Sequence, residues 1–307
     1  MSIHWRTGTA TATTRTIRRT AALGVLVTLL AVSVTMGPTA ASGVALPGPT
    51  KIETTSTAVT ASHVGPPFKV ATYNALFASH TDGRNPRRAQ FPHSTVRTKR
   101  TVRLFRRSGV DVAGIQELEH SARRKLRSLA PEYRTFGASN KAVVWRSDDF
   151  AFIEGHTIRT RTYHRRMTRT PVVTLRQRAT GQHLVVMSVH NPADVRGPAG
   201  ALRDEATQQE LAEVLRYRRT ADPVPLVVLG DMNAKAKFFC AFTASGDMHA
   251  AAGGSHVDGV CNPPSFNKGI DWIMGSPDVA FSRFKDDYNT RLATDHPLIT
   301  AVARITS

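Results

Sequence analysis

The stretch Pro225-Leu226-Val227-Val228-Leu229-Gly230-Asp231-Met232-Asn233 constrains this chain more than any other. Four consecutive apolar residues between Pro and Gly read as a strand buried on both faces. Two oxygen-bearing side chains, Asp231 and Asn233, follow the strand at alternate positions. A buried strand that ends in paired oxygen ligands holds a hard metal ion rigidly at the rim of a sheet. Taken alone, Gly-Asp-Met-Asn reads equally well as a turn, because those residue types dominate turns for conformational reasons.

The same layout recurs along the chain. Residues 68–73 alternate as a strand and end at Asn74, residues 110–115 end in Gln116-Glu117, and residues 184–189 end in His190. Ile270-Asp271-Trp272-Ile273 is a short strand with one carboxylate between apolar residues, and Asp295-His296-Pro297 precedes a closing strand over 298–304. Helices are expected from Ser94 to a stop at Gly109, over 121–129, and over 202–217. Residues 141–145 and 150–153 read as paired strands joined at Ser147-Asp148-Asp149, and 171–176 as a further strand. Residues 235–268 read as a long surface loop. That loop carries Asp247, His249, His256 and Asp258 at spacings that match no metal motif, and it contains both cysteines, Cys240 and Cys261. Two cysteines are compatible with one bridge, which would contribute roughly 3 kcal/mol in the chain-entropy model.

Charge bears on the partner. Lys and Arg number 41 against 23 Asp and Glu, a formal net charge of +18. This balance points to a polyanion: nucleic acid, a phosphorylated lipid surface or an acidic polymer. The first long helix carries Arg97, Lys99, Arg100, Arg103, Arg106 and Arg107 opposite its apolar face, which reads as a solvated face, with phosphate contact as the alternative. Residues 159–169 are dense in Arg.

The beginning of the chain reads as an export signal over 1–41. Arg6, Arg15, Arg18 and Arg19 precede an apolar run from Ala21 to Met36, followed by small residues. The run is shorter than the ~20 residues a spanning helix needs, so a cleaved signal is expected, with an uncleaved tether as the alternative. Residues 42–66 read as a flexible lead-in and 67–307 as one catalytic domain.

The order of these pieces resembles the endonuclease/exonuclease/phosphatase family, the deoxyribonuclease-I-like metal-dependent phosphoesterases. The resemblance rests on Thr72-Tyr73-Asn74, Ile115-Gln116-Glu117, Ser188-Val189-His190, Leu229 to Asn233, Ile270-Asp271 and Thr294-Asp295-His296-Pro297. It implies an α/β, four-layer αββα sandwich of two mixed sheets flanked by helices. It also implies a divalent cofactor, Mg2+ (or Mn2+ or Ca2+), held by Asn74, Glu117 and Asp295. By the same resemblance Asp231 and Asn233 position the attacking water and a phosphate oxygen, or a second ion. His296, oriented by Asp271, serves as base or phosphate-stabilising imidazole, His190 binds phosphate or donates a proton, and Arg169 contacts phosphate. The expectation is a secreted, monomeric, sequence-nonspecific nuclease with nucleic acid as substrate and no stable protein partner. The alternatives are a sphingomyelinase-like lipid-headgroup phosphoesterase and a catalytically silent polyanion binder.

Overall fold

A computed structural model describes residues 64–84, 86–245, 247–266 and 269–306. The expected export signal and nearly all of the lead-in lie outside the described residues. In chain order the elements are β1 (Phe68–Asn74), α1 (Ala78–Thr81), α2 (Ser94–Ser108), β2 (Val112–Gln116), α3 (His120–Leu129), β3 (Tyr133–Ala138) and β4 (Lys141–Arg146). Next come β5 (Phe150–Arg161), β6 (Met167–Gln177), β7 (His183–His190), α4 (Gly200–Arg218), β8 (Leu226–Asp231) and α5 (Ala236–Ser245). The chain continues through β9 (His249–Ala250), β10 (Ser255–Val257), β11 (Val260–Asn262), β12 (Asp271–Gly275), β13 (Val279–Asp287) and β14 (Leu298–Ile305).

Two six-stranded mixed sheets result, ordered β13-β14-β1-β2-β4-β3 and β5-β6-β7-β8-β12-β9. Each contains one parallel pair, β1 with β2 and β7 with β8, among antiparallel neighbours. Side chains alternate along a strand, and here the alternation sorts three apolar layers. Val70, Val112, Val143, Val186, Val227, Leu229 and Ile299 face the other sheet. Tyr73, Ala113, Ile115 and Val144 pack under Val102 and Phe105 of α2 and Leu126 of α3. Val185, Met187 and Val228 pack under Leu211 and Val214 of α4 and Phe238, Phe239 and Phe242 of α5. Helix–sheet–sheet–helix is the expected four-layer sandwich, and it explains why β8 is apolar from Leu226 to Leu229, with both faces buried.

Two expectations are corrected. Residues 141–146 and 150–161 do not pair with each other: β4 lies between β2 and β3, whereas β5 pairs with β6. The three-residue link steps from one sheet to the other, and Trp145 and Phe150 both point into the layer between the sheets. Residues 235–268 are not one long loop either. They contain α5, whose Phe238, Phe239 and Phe242 are buried, and three short strands.

Cys240 on α5 and Cys261 on β11 form a disulfide with Cα atoms 5.7 Å apart. The bond ties the β10–β11 ribbon to the helix over β8 and β12. Replacing both cysteines by serine is expected to cost about 3 kcal/mol. At roughly 2–4 °C per kcal/mol for a domain of this size, the melting temperature should fall by about 6–12 °C. Scanning calorimetry on the two forms checks this, and an unchanged melting temperature would show that the bridge constrains nothing.

Candidate active site

Alternation and register together assemble a cleft. Asn74 and Gln116 sit opposite one another at the ends of the parallel pair β1–β2. His190 and Asp231 do so at the ends of β7–β8, and Asp231 is also paired with Asp271 at the start of β12. Asn74, Gln116, His190, Asp231 and Asp271 fall an even number of residues from Val70, Val112, Val186, Val227 and Ile273, so all take the inner face. At this edge the apolar layer gives way to polar side chains. Its floor is a buried relay across the two sheets: Thr72 Oγ1 donates to Gln116 Oε1 (3.3 Å), and Gln116 Nε2 donates to Ser188 Oγ (3.3 Å).

Above that floor the acids are held closely. Asn74 Nδ2 donates to Asp231 Oδ2 at 3.0 Å, and the Phe77 amide donates to Glu117 Oε2 at 2.8 Å. His296 Nδ1 faces both oxygens of Asp271 at 3.0–3.1 Å. His296 Nε2 then lies 3.8 Å from Asp231 Oδ2, and His190 Nε2 lies 3.7 Å from Glu117 Oε1 and 3.8 Å from Asp231 Oδ2. Thr294 Oγ1 donates to the Asn74 carbonyl (2.6 Å) and accepts from the His296 amide (3.2 Å), which ties the loop before β14 to the end of β1.

Three residues of the site hold a strained backbone. Leu76, Glu117 and Asn233 have φ of 58°, 54° and 47°, a region that non-glycine residues rarely occupy and that surrounding bonds must enforce. Those bonds exist: Leu76 N to Asn74 Oδ1, Leu118 N to Asn140 O, and Asn233 N to Asp231 Oδ1 with Asn233 Nδ2 to Asn191 O.

Burial and charge set the protonation states. Burial pushes Glu117 up to about 7 against the bond from Phe77, and Asp231 is raised by burial and by Asp271. Burial disfavours the charged form of His296, but the hydrogen bond and charge of Asp271, with Asp231 and Asp295, outweigh it and lift the imidazole to about 9. Burial drops His190 to about 4. At neutral pH one imidazole is charged and the other neutral.

The cleft holds about 490 Å³ and is lined by Glu117, His190, Asp231, Asn233, Asp295 and His296, with Arg87, Arg88, Lys141, Arg166 and Arg196 among the cations around them. Asn74 and Asp271 lie just behind this lining, bonded to Asp231 and His296. Arg169 is not part of it. Thr168 faces the cleft, and Arg169, the next residue along β6, is exposed with its amide on Ser139 Oγ (3.3 Å). Sequence reading missed Lys141, which opens an apolar strand. It is buried, donates to Thr168 Oγ1 (3.2 Å), and is lowered by burial to about 8.

Two donor sets suit a hard cation. Asp231, Asp271 and His296 offer ligand atoms within 4.8 Å of one another, but both Asp271 oxygens are already engaged by His296 Nδ1. Glu117 offers the second: its Oε1 faces the cleft beside His190, and Asp295 also lines the cleft, carboxylate oxygens of the kind that Mg2+, Mn2+ and Ca2+ prefer.

A αββα sandwich with carboxylates, amides and paired imidazoles at one strand edge defines a phosphoesterase class. The sequence matches the endonuclease/exonuclease/phosphatase family over residues 71–296, and the chain belongs to that family. The fold resembles a mannosyl-6-phosphatase of Bacteroides thetaiotaomicron (TM-score 0.60, 17% identity, 77% of this chain and 99% of that one). It also resembles the human Nocturnin catalytic domain with bound sulfate (0.61, 17%, 78% and 95%) and D. rerio TDP2 complexed with single strand DNA product (0.54, 14%, 78% and 99%). At these identities the likeness concerns the fold. No curated protein sequence matches the chain.

Proposed function

We propose that this chain is an exported, divalent-metal-dependent phosphodiesterase that cleaves nucleic acid without sequence specificity. The observation that carries the reading is a cleft with an acidic, imidazole-bearing floor inside a ring of Arg and Lys. Cations around such a cleft suit a phosphate backbone contacted without base readout. The related folds include both a sugar phosphatase and a protein seen with single-stranded DNA, so charge, rather than likeness, favours the polymer. Export is supported by the basic, apolar, small-residue order of 1–41 and by a disulfide, which persists in oxidising compartments.

Asn74, Glu117 and Asp295 are proposed to hold the ion, which when bound neutralises charge developing on the phosphoryl oxygens. Asp271 fixes the tautomer of His296 by accepting from Nδ1 and turns Nε2 toward the cleft. The charged imidazole stabilises phosphate oxygens beside it. Asp231, 3.8 Å from both imidazoles, orients the attacking water, and the Asn233 amide binds a phosphate oxygen. His190, neutral at pH 7, contacts phosphate through a ring N–H. Arg166 and Arg196 take the anion-binding part expected of Arg169. The chain is proposed to act as a monomer. Among the described residues no helix is long and apolar enough to cross a membrane.

The test is hydrolysis of plasmid DNA, RNA and sphingomyelin side by side with Mg2+, Mn2+ or Ca2+, repeated with a chelator. Chelator-sensitive cleavage of DNA or RNA is expected. Sphingomyelin turnover with both nucleic acids intact would replace the substrate, and no turnover with any ion would leave a polyanion binder.

A further inference from the structure

The loops that carry the proposed ion ligands meet, behind the cleft, on one buried cation. Arg97, in the first turns of α2, is 2% exposed. Its Nη1 donates to the carbonyls of Ala75 (2.5 Å), Leu76 (2.8 Å) and Ala293 (3.3 Å). Nη2 donates to Phe77 O (3.3 Å) and Thr81 Oγ1 (2.9 Å), and Nε donates to Pro92 O (3.1 Å). None of these partners is a carboxylate, so the guanidinium is not half of an ion pair.

Those partners flank each of the three ligands. Ala75, Leu76 and Phe77 directly follow Asn74, and the chain reaches them through Leu76 at φ 58°. The amide of Phe77, whose carbonyl Arg97 holds, is the donor to Glu117 Oε2. Ala293 precedes Asp295 by two residues, and Thr294 between them closes onto the Asn74 carbonyl. Carbonyl oxygens that converge from separate loops repel one another unless a cation fills the gap. A planar guanidinium with five donors fills it in one orientation. An ammonium, with three donors and no fixed plane, reaches fewer of these six acceptors than the five N–H groups of a guanidinium, two of which are concentrated with three carbonyls at Nη1.

Resting on the ligand set proposed above, we propose that Arg97 is a positioning residue that sets the spacing of Asn74, Glu117 and Asp295 for a divalent cation. It acts through the backbone and touches neither cation nor substrate. Groups one shell out from a metal ligand commonly change metal affinity ten- to a hundred-fold when altered.

The test measures Mn2+ binding directly, by the electron-paramagnetic-resonance signal of the free ion, on full-length wild type, Arg97→Lys, Thr81→Val and the exposed control Arg103→Ala. Circular dichroism confirms that each is folded. Arg97→Lys is expected to weaken Mn2+ binding by about ten- to a hundred-fold. The Mn2+ concentration for half-maximal hydrolysis of bis(p-nitrophenyl) phosphate should rise in step, with kcat largely recovered at saturation. Thr81→Val, which removes one of the six bonds and leaves Arg97 in place, should weaken binding about two- to ten-fold, and Arg103→Ala should stay within about twofold of wild type. Folded Arg97→Lys with wild-type Mn2+ affinity overturns the inference. If Arg97→Lys does not fold, Thr81→Val decides, and an unchanged affinity there overturns it equally. A wild-type chain that hydrolyses the diester yet binds no Mn2+ overturns the ligand set itself, and the inference with it.

Discussion

His296→Gln is expected to lower kcat by about a hundred- to ten-thousand-fold, the range for loss of a proton-handling or charge-bearing imidazole. Glutamine keeps a donor toward Asp271, so the two buried acids beside it, Asp231 and Asp271, do not lose every partner. The companion variant Asp271→Asn separates orientation from charge. Against burial, Asp271 together with Asp231 and Asp295 raises His296 to about 9, so the folded chain binds that proton more tightly than the unfolded one. The resulting stability is complete below about pH 6.5 and is lost as pH rises through about 9. Melting temperature followed from pH 6 to pH 10 should therefore fall more steeply in wild type than in Asp271→Asn. Turnover of plasmid DNA by His296→Gln within a few-fold of wild type would remove the imidazole from the chemistry.

Glu117→Gln should divide activity from stability. The proposed role predicts a loss of about a hundred- to a thousand-fold, comparable with deleting one strong electrostatic contact to a transition state. Stability should hold or rise, because the carboxylate is buried, already lifted to about 7, and flanked by Asp231. Replacing a poorly solvated charge by an isosteric amide removes a desolvation penalty. Calorimetry in chelator, paired with hydrolysis in Mg2+, reads both effects. Chelator-sensitive turnover at the wild-type level would take Glu117 out of the ion site.

What the sequence made legible was local. β8 announces itself by four apolar residues between Pro225 and Gly230, and α2 by an apolar face and a left-handed Gly109 at its end. The residues that meet in the cleft were singled out because polar side chains interrupt apolar patterns at strand ends. What stayed hidden depends on partners far away in the chain. The Ser147–Asp149 link has the length of a hairpin turn, and only the packing of Trp145 and Phe150 between two sheets shows that it crosses. Helix α5 was obscured by the Gly- and His-rich segments after it. Arg97 was counted with the solvated face of α2, since backbone carbonyls leave no trace in the residue pattern that would mark a buried cation. Arg169 stands one position off the cleft lining, because strand alternation turns Thr168, not its neighbour, toward the cleft.

The placement of β14 between β13 and β1 governs when the molecule can be finished. Sheet two is drawn from one contiguous stretch of chain, Phe150 to Gly275. Sheet one is not, because β1 pairs with β14 some 230 residues later, with Gly65 N bonded to Ile305 O. Until those closing residues arrive, β1 presents an unsatisfied edge and Arg97 has no Ala293 carbonyl to grip. A nascent chain that lacks β14 therefore lacks a finished cleft as well, since Asp295 and His296 stand immediately before that strand.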